Sequence, residues 1–131
     1  MRAHLILYVA DQARATVFHS AVLGFPPTLD VPGMTEFSLG ADAVLGLMPE
    51  AGIRRLLGDA LPDPALATGV ARAELYLVVP DAAAAHARAL AAGGVELAAI
   101  TPRDWGDRAR YVRDLDGHLL ACADRPAGVR A

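Results

Sequence analysis

The sequence lacks several features that would tie it to particular classes of protein. It has one cysteine, Cys122, which excludes an internal disulfide, and the apolar surroundings of Cys122 predict a small core residue. The formal net charge of −3 argues against nucleic acid as the main partner. No apolar run approaches membrane-spanning length, and no secretory signal precedes the first apolar stretch. We therefore expect a cytoplasmic protein that does not associate with membranes.

What the sequence does contain is an internal repeat. Residues 74–81 match residues 4–11 at a constant offset of 70 positions, and both segments end in an aspartate that can cap a following helix. The first helix is predicted from Gln12 to Leu23, where Gly24 ends it. Three strands are predicted after each helix, at 28–31, 35–39 and 43–48 and again at 95–100, 108–113 and 118–122. The chain is thus predicted to use a βαβββ unit twice.

The fold class that follows is α+β, with two tandem βαβββ modules in one domain spanning residues 1–131. Module one covers about 1–50, a linker about 51–70 and module two about 71–125. The linker contains an amphipathic stretch that Pro62 and Pro64 interrupt. It either packs its apolar side on a neighbouring sheet or forms a flap over a pocket, and we favour the first interpretation.

Side-chain spacing also predicts which helix faces are buried. On the first helix the apolar side is predicted to comprise Ala13, Val17, Ala21 and Phe18, and on the second helix Ala83, Ala87, Leu90 and Ala91. Near the end of the chain, arginines at 103, 108, 110 and 113 are interleaved with aspartates at 104, 107, 114 and 116. This nearly neutral mixture predicts a solvated face with salt bridges.

The last part of the chain carries a motif. Trp105-Gly106 precedes a predicted strand, and Asp114-Leu-Asp-Gly117 forms a tight turn before an apolar strand. Together with the paired βαβββ modules and Leu23-Gly24-Phe25 after the first helix, this hairpin resembles the glyoxalase / bleomycin-resistance / dioxygenase superfamily, also called vicinal oxygen chelate proteins. The resemblance covers nearly the whole chain, although Leu115 stands where the family usually has proline.

The resemblance implies that each module curls into half an open barrel, that two modules form a ligand cup, and that the protein is a homodimer. In the metal-dependent branches the cup holds one divalent cation, whose ligands map onto His4, Gly46, Glu74 and Ala121. Gly46 and Ala121 have no ligand atoms in their side chains. We therefore expect no tightly bound metal, although a weak divalent-metal site at His4 and Glu74 remains an alternative.

Strand parity indicates which side chains line the cup. Residues two apart share a face, so His4 and Tyr8 point together, as do Glu74 and Tyr76. Trp105 is predicted at the rim, where it either stacks on a planar ligand or seals the end of the sheet. Because a buried carboxylate needs a partner, His4 and Glu74 are predicted to pair across the modules. Glu74 is also the candidate general base.

Three functions remain open from the sequence. The leading one is binding of a small organic ligand, such as a drug or metabolite, as in proteins of antibiotic resistance. The second is a divalent-metal-dependent lyase, isomerase or dioxygenase of the glyoxalase type that uses His4 and Glu74, for example one similar to a lactoylglutathione lyase. The third is an accessory domain without a ligand. Fold alone does not decide among them.

Overall fold

The computed structural model of the chain describes residues 1–67 and 69–125. Contacts divide the chain into two units, the first made of Met1–Ser20 with Phe25–Gly69 and the second of Ala21–Gly24 with the chain from Val70 onward. The segment between the predicted modules therefore belongs to the first unit. In the part of the chain that the structure describes, no helix is long and apolar enough to cross a membrane.

The first unit contains a four-stranded mixed sheet. Its elements are β1 (Ala3–Val9), α1 (Gln12–Leu23), β2 (Leu29–Val31), β3 (Met34–Ser38) and β4 (Ala43–Pro49). The strand order is β1-β4-β3-β2, with β1 parallel to β4 and the remaining pairs antiparallel. Helix α2 (Glu50–Leu57) and two short 3₁₀ turns (Gly58–Ala60 and Pro64–Leu66) follow β4. Asp63 caps the second turn by accepting a hydrogen bond from the Ala65 amide.

The second unit repeats this topology. Its elements are β5 (Glu74–Val78), α3 (Ala82–Ala91), β6 (Val95–Pro102), β7 (Arg108–Arg113) and β8 (Leu119–Asp124). The strand order is β5-β8-β7-β6, and β5 is parallel to β8. Asp81 caps α3 through the Ala84 amide, as Asp11 caps α1 through the Arg14 amide. The fold class predicted from the repeat is therefore confirmed, and neither sheet is closed.

One face of each sheet packs against its helix. In the first unit this face carries the fully buried side chains Thr35, Phe37, Leu45 and Leu47. The Thr16 hydroxyl of α1 lies 2.9 Å from the Thr35 hydroxyl, which places α1 on this side of the sheet. In the second unit, Gly94, three residues after α3, lies so close to Val112 that an added Cβ would approach its Cγ2 to 2.7 Å. The side of each sheet away from its helix is called the far face below.

The predicted buried side of α1 is wrong in part. Val17 is 70% exposed and Ala13 is also exposed, whereas Phe18 is buried as expected. The residues buried on α1 are Ala15, Phe18, His19 and Val22. The helix is turned because Gln12 and Thr16 both reach Thr35 on the sheet, so polar residues occupy part of the packed side.

The predicted buried side of α3 is wrong as well. Ala83, Ala87 and Ala91 are exposed, whereas Ala82, Ala85, His86 and Ala89 are buried. Alanine occurs on every side of this helix, so the apolar spacing could not select one. The rotation brings the imidazole of His86 to 2.9 Å from the Glu96 carboxylate on β6.

The prediction of a solvated charged face fails at two aspartates. Asp107 is 2% exposed and Asp114 is 4% exposed. Asp114 accepts hydrogen bonds from the backbone amides of Asp116 and His118, so it is a buried turn residue of the β7–β8 hairpin. Asp107 is held by side chains, which are described below. The prediction succeeds for Arg108, which forms a salt bridge of 3.0 Å with Asp124.

Candidate functional site

The register of the strands determines which candidate residues share a far face. In the first unit, His4, Ile6 and Tyr8 lie opposite Val44, Gly46 and Met48 across the parallel β1–β4 pair. Directly paired residues point to the same side of a sheet, and this set alternates with the helix-facing Leu45 and Leu47. His4 and Tyr8 therefore lie on the far face of the first sheet.

The same reasoning places the second set of candidates. Tyr76 lies opposite Ala121 on β8, and Ala121 lies opposite Tyr111 on β7. These residues alternate with Val112, which faces α3. Glu74 and Tyr76 therefore lie on the far face of the second sheet, with Glu74 exposed at the start of β5 and Tyr76 half-buried.

In the first unit, the carboxylate beside His4 is Glu36. The His4 Nδ1 atom lies 3.5 Å from Glu36 Oε2, with the two side chains 39% and 24% exposed. Glu36 extends from β3 opposite Gly46, so it occupies the far face next to the glycine. Glu36 is not among the residues that the sequence predicts for the site. The pair expected between His4 and Glu74 joins the two units and stays a prediction.

The Gly46 position on β4 offers little room for a side chain. A Cβ added at Gly46 would lie 3.1 Å from Ile6 Cγ1 and 3.2 Å from Met34 Sδ. Both distances are shorter than ordinary van der Waals contacts. In the second unit the equivalent position is held by Ala121, which is fully buried and carries only a methyl group. Among residues 1–67 and 69–125, no group of three or more histidine, cysteine, aspartate or glutamate side chains could hold a metal ion.

The second unit has a polar cluster centred on Asp107, which directly precedes β7. Tyr76 donates its hydroxyl hydrogen to Asp107 Oδ2 at 2.8 Å, and the Trp105 indole donates to the same oxygen at 3.1 Å. The indole nitrogen also lies 3.3 Å from the Tyr76 oxygen. Arg125, after the end of β8, donates from Nε to Asp107 Oδ1 at 2.6 Å. One carboxylate thus joins three separate parts of the unit.

The cluster shifts the proton affinities of its members. The hydrogen bond from Arg125, followed by the one from Tyr76, lowers the pKa of Asp107 below its usual value. Burial, followed by the hydrogen bond to Asp107, raises the pKa of Tyr76. The pKa of Arg125 is raised mainly by its hydrogen bond to Asp107. Asp107 is therefore an anion at neutral pH, whereas Tyr76 keeps its proton.

Trp105 is fixed on one side and open on another. Its ring centroid lies 6.1 Å from that of Tyr76, with the planes tilted by 60°. The guanidinium carbon of Arg103 lies 4.4 Å from the indole centroid, which is a cation–π distance. Trp105 nevertheless remains 53% exposed. Because its N–H points to Asp107, the exposed surface is the carbon part of the ring.

Sequence reasoning found Tyr76 and Trp105 but missed Asp107 and Arg125. A signal for Asp107 was present, because it is two residues from Trp105 and has the same strand parity as Tyr111. The surrounding arginines and aspartates nevertheless predict a solvated charge at this position. Nothing in the sequence indicated Arg125, since its role depends on where the chain emerges from β8.

The family of the chain follows from comparison with known proteins. The sequence profile of the Glyoxalase/Bleomycin resistance protein/Dioxygenase superfamily matches residues 2–122. The chain belongs to this superfamily. No curated individual protein matches the sequence.

Solved structures share the fold at low sequence identity. A glyoxalase-related enzyme from Fulvimarina pelagi has a TM-score of 0.78 and 22% identity, covering 96% of this chain and 88% of that one. A glyoxalase/bleomycin resistance protein/dioxygenase family enzyme from Burkholderia phytofirmans PsJN has a TM-score of 0.77 and 16% identity, with 94% and 97% covered. A glyoxalase/bleomycin resistance protein from Albidiferax ferrireducens T118 has a TM-score of 0.71 and 20% identity, with 94% and 97% covered. At these identities the likeness supports the fold alone.

Proposed function

We propose that the protein binds a small organic ligand on the far faces of its sheets, without a tightly held metal ion. The observation that carries this proposal is the half-exposed Trp105, whose ring is held beside Tyr76 by the buried Asp107. Aromatic side chains that are rigid and partly exposed provide apolar contact area at low entropic cost. His4 and Tyr8 are the proposed contacts on the first sheet, and Glu74, Tyr76 and Trp105 those on the second.

The donor set supports binding without metal. Four positions correspond to the metal ligands of the metal-dependent enzymes, and two of them, Gly46 and Ala121, have no ligand atom in their side chains. Neighbouring side chains also crowd the space beside Gly46. A catalytic zinc normally takes three protein ligands, and a non-haem iron takes two histidines and a carboxylate. His4 and Glu74 do not make up such a set, so the residues do not fit the metal of the metal-dependent enzymes.

Elemental analysis tests the absence of metal. We expect protein purified without chelator to contain well under one equivalent of zinc, nickel, manganese or iron. Stoichiometric metal that is lost on His4→Ala would overturn the proposal and favour the glyoxalase-type lyase, isomerase or dioxygenase. A matched control is His118→Ala, which removes an imidazole outside the four mapped positions.

Ligand binding is tested through the emission of Trp105. Because this is the only tryptophan, its fluorescence reports directly on the far face of the second sheet. We expect at least one compound in a panel of planar aromatic molecules, with bleomycin included, to change the emission saturably. Trp105→Phe provides the control for inner-filter effects, and a panel without any saturable binder would contradict the proposal.

The proposal includes a homodimer, since the resemblance implies that members of this superfamily pair about a two-fold axis. Light scattering at micromolar concentration should give twice the mass of the 131-residue chain. A monomer mass would remove the dimer from the proposal and leave the ligand site of the second unit unaffected.

A further inference from the structure

The Asp107 cluster has an arrangement that packing alone does not require. A buried carboxylate needs hydrogen-bond partners, and Arg125 and Tyr76 already provide two. The third donor is Trp105, a residue that is 53% exposed. An exposed indole could satisfy its N–H with water at little cost. Its N–H is instead directed inward to Asp107 Oδ2 at 3.1 Å.

The consequence for the surface is chemical. With the N–H bonded to Asp107, Trp105 offers a partner only the carbon atoms of its ring. The polar group of Tyr76 is likewise engaged within the cluster. It donates its hydroxyl hydrogen to Asp107 at 2.8 Å, and its oxygen lies 3.3 Å from the indole nitrogen. Both aromatic residues thus present ring carbon to the far face.

We infer that Asp107 is a positioning residue of the ligand site, which fixes the Trp105 ring so that it recognises a planar apolar ring system by stacking. This inference rests on the proposed function and deepens it by naming the residue that orients the aromatic contact. Asp107 itself does not touch the ligand, since it is 2% exposed and both carboxylate oxygens are occupied. Arg103, at 4.4 Å from the indole centroid, holds the ring further against rotation.

Nuclear magnetic resonance of the ¹⁵N-labelled protein provides the test, because a single tryptophan gives a single indole N–H resonance. The probes are 2-naphthol and decahydro-2-naphthol, which share a carbon frame and a hydroxyl but differ in planarity. In the unmodified protein we expect a slowly exchanging N–H resonance, and its slow exchange should persist when 2-naphthol binds, because the hydrogen bond to Asp107 stays in place. We expect 2-naphthol to bind about three- to tenfold more tightly than decahydro-2-naphthol, the range of one aromatic pair.

Two variants separate positioning from general structure. Asp107→Asn keeps the size of the side chain but removes the charge that holds Trp105 and Arg125. The indole N–H should then exchange faster, and the preference for the planar probe should fall to about twofold or less. Arg125→Gln removes the guanidinium that donates to Asp107 Oδ1, while Asp107 Oδ2 can still accept the hydrogen bond from the indole. It should retain the slow exchange and the preference within about twofold.

The outcomes distinguish the inference from the proposed function. Rapid exchange of the indole N–H in the unmodified protein overturns the positioning role even if Asp107→Asn does not fold. Loss of the slow exchange on adding 2-naphthol also overturns it, because the ligand would then have replaced the hydrogen bond to Asp107. Equal binding of both probes, or tighter binding of decahydro-2-naphthol, overturns the planar class alone. Absence of binding by the whole panel overturns the proposed function.

Discussion

Replacing Gly46 by alanine tests whether the fourth strand of the first unit is closed to a side chain. The added Cβ would lie 3.1 Å from Ile6 Cγ1 and 3.2 Å from Met34 Sδ. Ile6 is β-branched, and its Cα is also near, at 3.8 Å, so its side chain can move little. Met34 is flexible and can move aside. The strain is therefore partial rather than complete.

The magnitude follows from two opposing effects. An extra methyl group in a packed site costs about 1–3 kcal/mol. Gly46 does not have a positive φ, so alanine also removes freedom from the unfolded chain, which stabilises the protein by about 0.4–1 kcal/mol. We expect a net decrease in the free energy of unfolding of about 1 kcal/mol. At a urea m-value of about 2 kcal/mol/M, the midpoint should fall by about 0.5 M.

Gly52→Ala is the matched control. Gly52 lies inside α2, and its added Cβ would approach Met48 Cγ to 3.6 Å, an ordinary contact. Here alanine should increase the free energy of unfolding by about 0.5–1 kcal/mol, because glycine is unfavourable inside a helix. The two glycine substitutions should thus have opposite signs.

Urea unfolding followed by far-ultraviolet circular dichroism measures both variants. When Met34 is already replaced by alanine, Gly46→Ala should decrease the free energy of unfolding less than it does in the unmodified protein. The difference, which is the coupling between residues in contact, should be about 0.5 kcal/mol or more. If Gly46→Ala matches or exceeds the unmodified protein in stability, the space beside Gly46 is not filled. A ligating side chain could then stand there, and crowding beside Gly46 would no longer count against a metal site.

Three further predictions concern the second unit. Tyr76→Phe removes the 2.8 Å hydrogen bond to Asp107 and should lower the melting temperature measured by calorimetry. Tyr111→Phe, on the same far face, should leave the melting temperature nearly unchanged under the same conditions. Arg125 lowers the pKa of Asp107, so the stability that this carboxylate contributes is present above its unfolded pKa of about 3.9 and is lost as pH falls through the folded pKa. The melting temperature should therefore decline on acidification, and Arg125→Gln should reduce that decline. Gly94→Ala should destabilise more than Gly46→Ala in urea, since its Cβ would meet Val112 at 2.7 Å and the Ala89 carbonyl oxygen at 2.9 Å; equal midpoints would contradict this ranking.

The topology could be predicted from the sequence because the repeat and the helix caps are local signals. Asp11 and Asp81 cap helices at the predicted residues, and the helices that follow, from Gln12 and from Ala82, recur at the offset of 70 positions. Strand parity also follows from local geometry, so the far-face positions of Tyr8 and Tyr76 could be derived before any contact was known.

The buried faces of the helices and the partners of the charges could not be predicted in this way. They depend on pairs far apart in the chain, such as Thr16 with Thr35 and Asp107 with Arg125. A charged residue in a segment of mixed arginines and aspartates looks the same in sequence whether it is solvated or buried. Only its three-dimensional partners make Asp107 different from Asp104.

The repeat itself explains why the second unit has more of the proposed ligand contacts than the first. Both first strands place a side chain opposite a small residue of the fourth strand, Ile6 opposite Gly46 and Tyr76 opposite Ala121. In the first unit, Ile6 and Met34 fill the space that the glycine leaves. In the second, the longer tyrosine carries its hydroxyl past the alanine to Asp107 and so brings Trp105 into the same cluster. The same backbone is thereby used for packing in one unit and for a fixed aromatic surface in the other.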